Sequence, residues 1–239
     1  MVPVRGRGSY YDFFSDILII NRGVHEPLEE FVFQEMVSSI CAAPVMLELG
    51  AYWGHYSMWL KKRRPHARVF LVEPDAINLQ AGRENFDRNG LSGTFINDMV
   101  GTGAFEVDRF VADQGLTRLD VLHADIQGAE IEMLDGCQNS FRSGKVQYCF
   151  VSTHSQALHI AAAEKLLASG FRIEASADCD SESTSCDGLI FAAHASAPSV
   201  VNGFRYMGRT AICGATPHQL LAAANSYAVA RAPSEGQAS

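Results

Sequence analysis

Glu48, Gly50, Gly54 and Glu73 are the first residues whose types and spacing could do chemistry. They lie in VMLELGAYWGHYS (45–57) and VFLVEPD (69–75), where each apolar run ends in an acid. The first run then breaks into a small-residue turn ahead of a helical pattern, as a buried parallel strand does when it turns tightly into a helix. Gly50 and Gly54, with Ala51 and Tyr52 between them, would let a ligand approach the backbone, and Glu48 and the turn's N–H groups can hold polar atoms. An acid closing the second strand, here Glu73 followed by Pro74, commonly binds the two hydroxyls of a ribose. The glycine spacing is GxxxG rather than GxGxxG, and no P-loop lysine follows. The expected ligand is therefore a nucleoside without a pyrophosphate.

S-adenosylmethionine is the commonest cofactor of that description. Glu48 would hold its ammonium directly or through water, or else pair with an Arg or Lys from a neighbouring loop. Glu73 competes with a reading as a strand-end acid, Asp75 then being the helix cap. Asp98, in FINDMVG, can accept from an adenine amino group beside Asn97 or Met99, or serve as a turn aspartate.

The catalytic interest lies in LDVLHADIQGAEIEMLDG (119–136) and VSTHS (151–155). A strand would deliver Asp125 to the crevice, where it can bind a divalent ion, hold the methionyl end of the cofactor or position a hydroxyl. His154, ending the neighbouring strand, can take a proton near neutral pH or act as a hydrogen-bonded loop residue. Glu130 reads as structural, as does His159, and His123 reads as a satisfied core residue. His55, Tyr56 and Gln127 would line the substrate side, with Tyr10 and Tyr11 closing the pocket or packing an N-terminal helix.

These residues need a sheet to bring them together. Apolar runs at 45–49, 68–73, 94–97, 119–125, 146–152, 170–175 and 187–193 read as strands, with helical patterns at 54–63, 75–89, 129–136 and 157–169. The last two strands have only the polar stretch 178–185 between them and can pair antiparallel. The prediction is an α/β fold of the Rossmann-like class I methyltransferase type: a mostly parallel seven-stranded sheet, helices on both faces and a terminal hairpin. Residues 1–43 form a helical lead-in, 44–194 the core and 195–239 an appendage, within a single domain. A helix at 217–230 would pack on the core or on a second copy, as in a homo-oligomer.

Composition narrows the class. The chain has 239 residues, is 47% hydrophobic and carries a net charge of −8, enough for one sizeable core. Its one dense basic cluster, Lys61, Lys62, Arg63 and Arg64, reads as a helix end and not as a nucleic-acid face. Six scattered cysteines without a CxxC pair, and no run able to span a membrane, predict a soluble cytoplasmic chain.

The order LELGAYWGHYS, LVEPDAINLQAGRENFDRN, LDVLHADIQGAEIEMLDG and VSTHS resembles the FkbM family of S-adenosylmethionine-dependent methyltransferases over residues 23–194. The resemblance implies methyl transfer to a hydroxyl of a sugar or natural product, with Asp125 and His154 retained. Tyr52, Gln127 and Ser152 stand where the family often has Asn, Glu and an acid, so the resemblance does not carry a metal ligand set to this chain. Two other classes compete: a nicotinamide-dependent oxidoreductase, which the GxxxG spacing disfavours, and a non-catalytic S-adenosylmethionine-binding partner protein.

Overall fold

The computed structural model describes residues 16, 18, 19, 22–201 and 205–230. Tyr10 and Tyr11 and the tail 231–239 lie outside the described residues. The chain runs through α1 (Pro27–Ser39), β1 (Val45–Leu49), α2 (His55–Arg63), β2 (Arg68–Val72), α3 (Ala76–Arg88) and β3 (Thr94–Ile96). It continues through α4 (Val107–Asp113), β4 (Leu119–Ala124), α5 (Glu130–Asp135), α6 (Gln138–Arg142), β5 (Val146–Thr153) and α7 (Gln156–Ala168). The hairpin β6 (Phe171–Ala177) and β7 (Gly188–His194) follows, and then α8 (Arg209–Gly214) and α9 (Pro217–Ala230).

The seven strands form one sheet in the order β3-β2-β1-β4-β5-β7-β6. Pairings from β3 to β5 are parallel, and β7 is antiparallel to both β5 and β6. This is the Rossmann-like class I methyltransferase fold. Strand β4 is buried at every position, as a central parallel strand covered on both faces must be. The strand order reverses direction between β1 and β4, and such a switch point opens a crevice beyond the strands' carboxyl ends.

Two apolar clusters cover the faces of the sheet. One gathers α1, α2 and the hairpin around Phe33, Phe150 and Phe191; the other packs Phe110, Leu134, Phe141 and Leu166 against the opposite face. Phe33 of α1 meets Tyr56, Trp59 and Phe150 with ring centroids 4.9, 5.4 and 5.6 Å apart. Helix α3 is capped by Asp75, whose carboxylate accepts from the N–H groups of Ile77 and Asn78.

The basic cluster at the end of α2 is only partly solvated. Lys61 is buried, its Nζ donating to the carbonyls of Pro65 and Ala67, and Arg64 donates to Ser38 O. Arg209 fastens α8 to the loop between β6 and β7 by donating to the carbonyls of Cys179, Asp180 and Ser183. Helix α9 does not pack on the core: Leu220 and Leu221 are exposed. Among the described residues, no helix is long and apolar enough to cross a membrane.

Candidate functional site

A cavity of about 720 Å³ opens at the carboxyl ends of β1, β2 and β4. That is ample for a nucleoside-sized ligand, whose pockets run to roughly 300–1,000 Å³. Glu48, Gly50, Ala51, Tyr52, Glu73 and Pro74 line one part of it. His55, Tyr56, Asp125 and Gln127 line the rest of the predicted set. Gly54, Asp98 and His154 lie outside its lining.

The turn after β1 is shaped from the protein side. Gly50 has φ +71, and a Cβ there would lie 1.7 Å from the Asp125 carbonyl oxygen. Gly54 has φ +80, and its Cβ would lie 2.9 Å from Leu71 and 3.0 Å from Phe86. Close packing and left-handed backbone thus require glycine at both positions. Gly50 and Ala51 both donate to Val72 O, which ties the turn to β2.

Tyr52 and Gln127 also adopt left-handed backbone, with φ 49 and 54. Such conformations cost on the order of 1–3 kcal/mol each and concentrate at binding sites. Tyr52 is held there by its N–H donating to Glu73 Oε2 at 2.9 Å, while Glu73 Oε1 accepts from Asp75 N at 3.0 Å. A carboxylate offers about four acceptor sites, so Glu73 keeps capacity for a ribose hydroxyl. Burial pushes its carboxyl above the usual range, only partly offset by hydrogen bonds from Asp75 and Asn78.

Met99 lines the cavity beside Val100 and is 64% exposed. Asp98 instead accepts from Met99 N, as a turn aspartate does, and Asn97 braces the backbone carbonyls of Glu73 and Pro74. Glu48 is buried and accepts from Ser57 N at 3.0 Å; burial raises its carboxyl, with His123 and Ser57 opposing the shift.

Asp125 and His154 do meet. His154 Nε2 lies 3.1 Å from Asp125 Oδ1, and its Nδ1 lies 2.6 Å from Glu130 Oε1, with Asp187 Oδ1 3.6 Å away. Burial alone would lower the imidazole, but the hydrogen bonds and charges of Asp125 and Glu130 outweigh it and carry the group up to about 10. Asp125 responds in kind: burial pushes it up, and the His154 hydrogen bond and charge bring it below the usual carboxylate range. His154 thus has a carboxylate at each ring nitrogen, which favours the imidazolium, and the Gln127 side-chain nitrogen lies 2.9 Å from Nε2.

Three features escaped sequence reasoning. His123 is not a satisfied core residue: it lines the cavity, its Nε2 lies 2.5 Å from Glu29 Oε1, and its Nδ1 is buried with no partner among the described residues. Ser152, lacking a carboxylate of its own, donates to Glu29 Oε2 at 3.1 Å, so helix α1 brings an acid to that spot. Glu26, Glu132 and Asp187 line the cavity as well. Position in a buried run concealed His123, and the acids come from segments remote in sequence. His159, read as structural, bridges Thr153 Oγ1 and Ser176 Oγ.

Among the described residues no group of His, Cys, Asp and Glu side chains is arranged to hold a metal ion. Residues 100–173 match the family described as Methyltransferase FkbM domain. No curated protein matches the chain.

Solved structures similar to this one include the precorrin-6y C5,15-methyltransferase of Geobacter metallireducens GS-15, at 15% identity and TM-score 0.52 over 70% of this chain and 87% of that one. The magnesium protoporphyrin IX methyltransferase of Synechocystis PCC 6803 matches at 12% identity and TM-score 0.52, over 78% and 86% of the two chains. The ribosomal protein L11 methylase of Lactobacillus delbrueckii subsp. bulgaricus matches at 12% identity and TM-score 0.52, over 72% and 80%. At these identities the likeness is one of fold.

Proposed function

We propose that this chain is an S-adenosylmethionine-dependent methyltransferase acting on a hydroxyl of a sugar or natural-product acceptor. One observation carries the reading: a single cavity runs from the Glu73 carboxylate past the turn after β1 to Asp125. That layout suits a ligand with a ribose at one end and a reacting centre at the other. The partial FkbM-domain match supports the same reading.

S-adenosylmethionine, when bound, supplies an activated methyl group on a sulfonium. Met99 would meet its adenine, Glu73 its ribose hydroxyls, and Glu48 the ammonium of its methionyl end. Carboxylates around the crevice oppose the sulfonium's positive charge, and the turn aligns the donor for in-line displacement.

Asp125 would accept a hydrogen bond from the acceptor hydroxyl and draw off its proton as the oxygen is methylated. His154 acts through Asp125 as a positioning residue. Its two ring nitrogens face carboxylates, which suits an imidazolium that orients Asp125 better than an imidazole that receives a proton.

Calorimetry with S-adenosylhomocysteine, followed by single-turnover methylation across a panel of polyhydroxylated acceptors, tests the reading. Micromolar binding and formation of a methyl ether are expected. Stabilisation by NAD and not by S-adenosylhomocysteine in a thermal-shift assay would replace it with the oxidoreductase reading.

A further inference from the structure

The cavity wall is electrostatically one-sided. Its acidic lining residues are Glu26, Glu48, Glu73, Asp125, Glu132 and Asp187, and among the described residues neither Lys nor Arg lines it. Glu26, from the turn that opens α1, and Asp187, at the start of β7, also share the lining of a small adjoining cleft. Glu26 lies close enough to Asp125 and Asp187 to feel the charge of both, so the three bound one part of the cavity. The nearby cation, His154, is already engaged by Asp125, Glu130 and Asp187. Negative charge is therefore in surplus. Burial raises the Glu26 carboxyl, and the charge of Glu29, a side-chain hydrogen bond with Glu29 and the charges of Asp125 and Asp187 raise it further. The surplus thus rests on Asp125 and Asp187, and a cation bound beside Glu26 would favour its ionised form.

A second observation points to a ligand there. Tyr56 and His123 are 6% and 3% exposed and line the cavity, and Tyr56 Oη and His123 Nδ1 have no hydrogen-bond partner among the described residues. Where Nε2–H donates to the Glu29 carboxylate, Nδ1 of the neutral ring is left as an acceptor. Unpartnered buried polar atoms are costly, and Nδ1 and the Tyr56 oxygen can both accept, which suits a group that brings donors. An alkylammonium offers three donors, no acceptor and a positive charge. A phosphate or carboxylate would meet like charge on every side.

Resting on the methyltransferase reading, we propose that the part of the cavity bounded by Glu26, Asp125 and Asp187 binds a protonated amine of the methyl acceptor. The substrate is then a hydroxylated amine, not a phosphorylated or carboxylated compound. The same chemistry has a second source, the α-ammonium of the cofactor, and the experiment separates the two.

The protein saturated with S-adenosylhomocysteine is titrated with glucosamine, N-acetylglucosamine and glucosamine 6-phosphate, with binding read by calorimetry and saturation-transfer NMR. Glucosamine should bind at least about tenfold more tightly than either of the others, the scale expected for a lost buried charge contact. Glu26→Gln and Asp187→Asn, each checked for native circular dichroism, should erase that preference while leaving the affinity for S-adenosylhomocysteine within about twofold.

Equal binding of the N-acetyl compound, or binding of none of the three, overturns the proposal. So does a pattern in which Glu26→Gln weakens S-adenosylhomocysteine and spares glucosamine, since the ammonium held there would be the cofactor's. If S-adenosylhomocysteine itself does not bind, the cofactor reading fails on its own account, and the amine titration of the free protein still decides the subsite.

Discussion

Gly50 presses against Asp125: a Cβ on the glycine would sit 1.7 Å from the aspartate's carbonyl oxygen, at the point where Asp125 N donates to Leu49 O. The ends of β1 and β4 are thus locked edge to edge, and the turn after β1 cannot shift without moving Asp125.

Gly50→Ala should accordingly destabilise the fold by more than about 3 kcal/mol or abolish it, since backbone must move as well as φ. Gly103→Ala is the control. Gly103 also has positive φ, +77, but nothing lies within 4 Å of its Cβ position, so its cost should stay near 1 kcal/mol. Denaturant unfolding of the two variants measures the difference.

The His154 cluster should make stability depend on alkaline pH. The imidazolium is held up to about 10 against an ordinary value of 6.5, so its contribution is complete below pH 6.5 and is lost as pH rises through about 10. His154→Asn removes the cation, leaving Asp125, Glu130 and Asp187 uncompensated, at a cost of about 3–5 kcal/mol. Thermal melts from pH 6 to 10.5 should show the wild type losing its advantage over His154→Asn across the upper part of that range. NMR titration of the His154 ring checks the assignment directly.

On activity, the same substitution should divide turnover from binding. His154→Asn should lower kcat by about 100-fold through misplacement of Asp125, with the dissociation constant for S-adenosylhomocysteine little changed. Conversely, Glu73→Ala should weaken S-adenosylhomocysteine by at least about tenfold and spare single-turnover rates at saturation, since it removes a contact made equally before and during the reaction. Comparable cofactor affinity in Glu73→Ala would argue that Glu73 serves only Tyr52 and Asp75.

Asp98 and Met99 offer a sharper contrast one residue apart. Asp98→Ala should leave S-adenosylhomocysteine affinity within about twofold, because its side chain caps its own turn outside the cavity. Met99→Ala removes an apolar side chain from the lining and should cost about 1 kcal/mol or more of binding. Calorimetry on the pair decides between them.

Where the sequence announced structure, it did so through burial. The run at 45–49 coincides with β1, and those at 119–125 and 187–193 fall within a residue of β4 and β7, because interior strands are buried on both faces and mostly apolar. Three short helices, α4, α6 and α8, gave too few turns to establish a period. Strand-end acids such as Glu73 and Asp125 were legible from position alone. The link between Ser152 and Glu29 was not, for it spans 123 residues and exists only once α1 lies across the sheet. The close approach behind Gly50 was equally hidden, since a glycine facing ligand and one facing backbone read alike as letters.

Helix α1 does more than lead into the sheet. It buries Val32, Phe33 and Met36 completely and lends Glu29 to both His123 and Ser152. A chain begun at residue 44 would bare an apolar flank and strip the crevice of its wall in a single cut, so trimming from this end sacrifices solubility and specificity together.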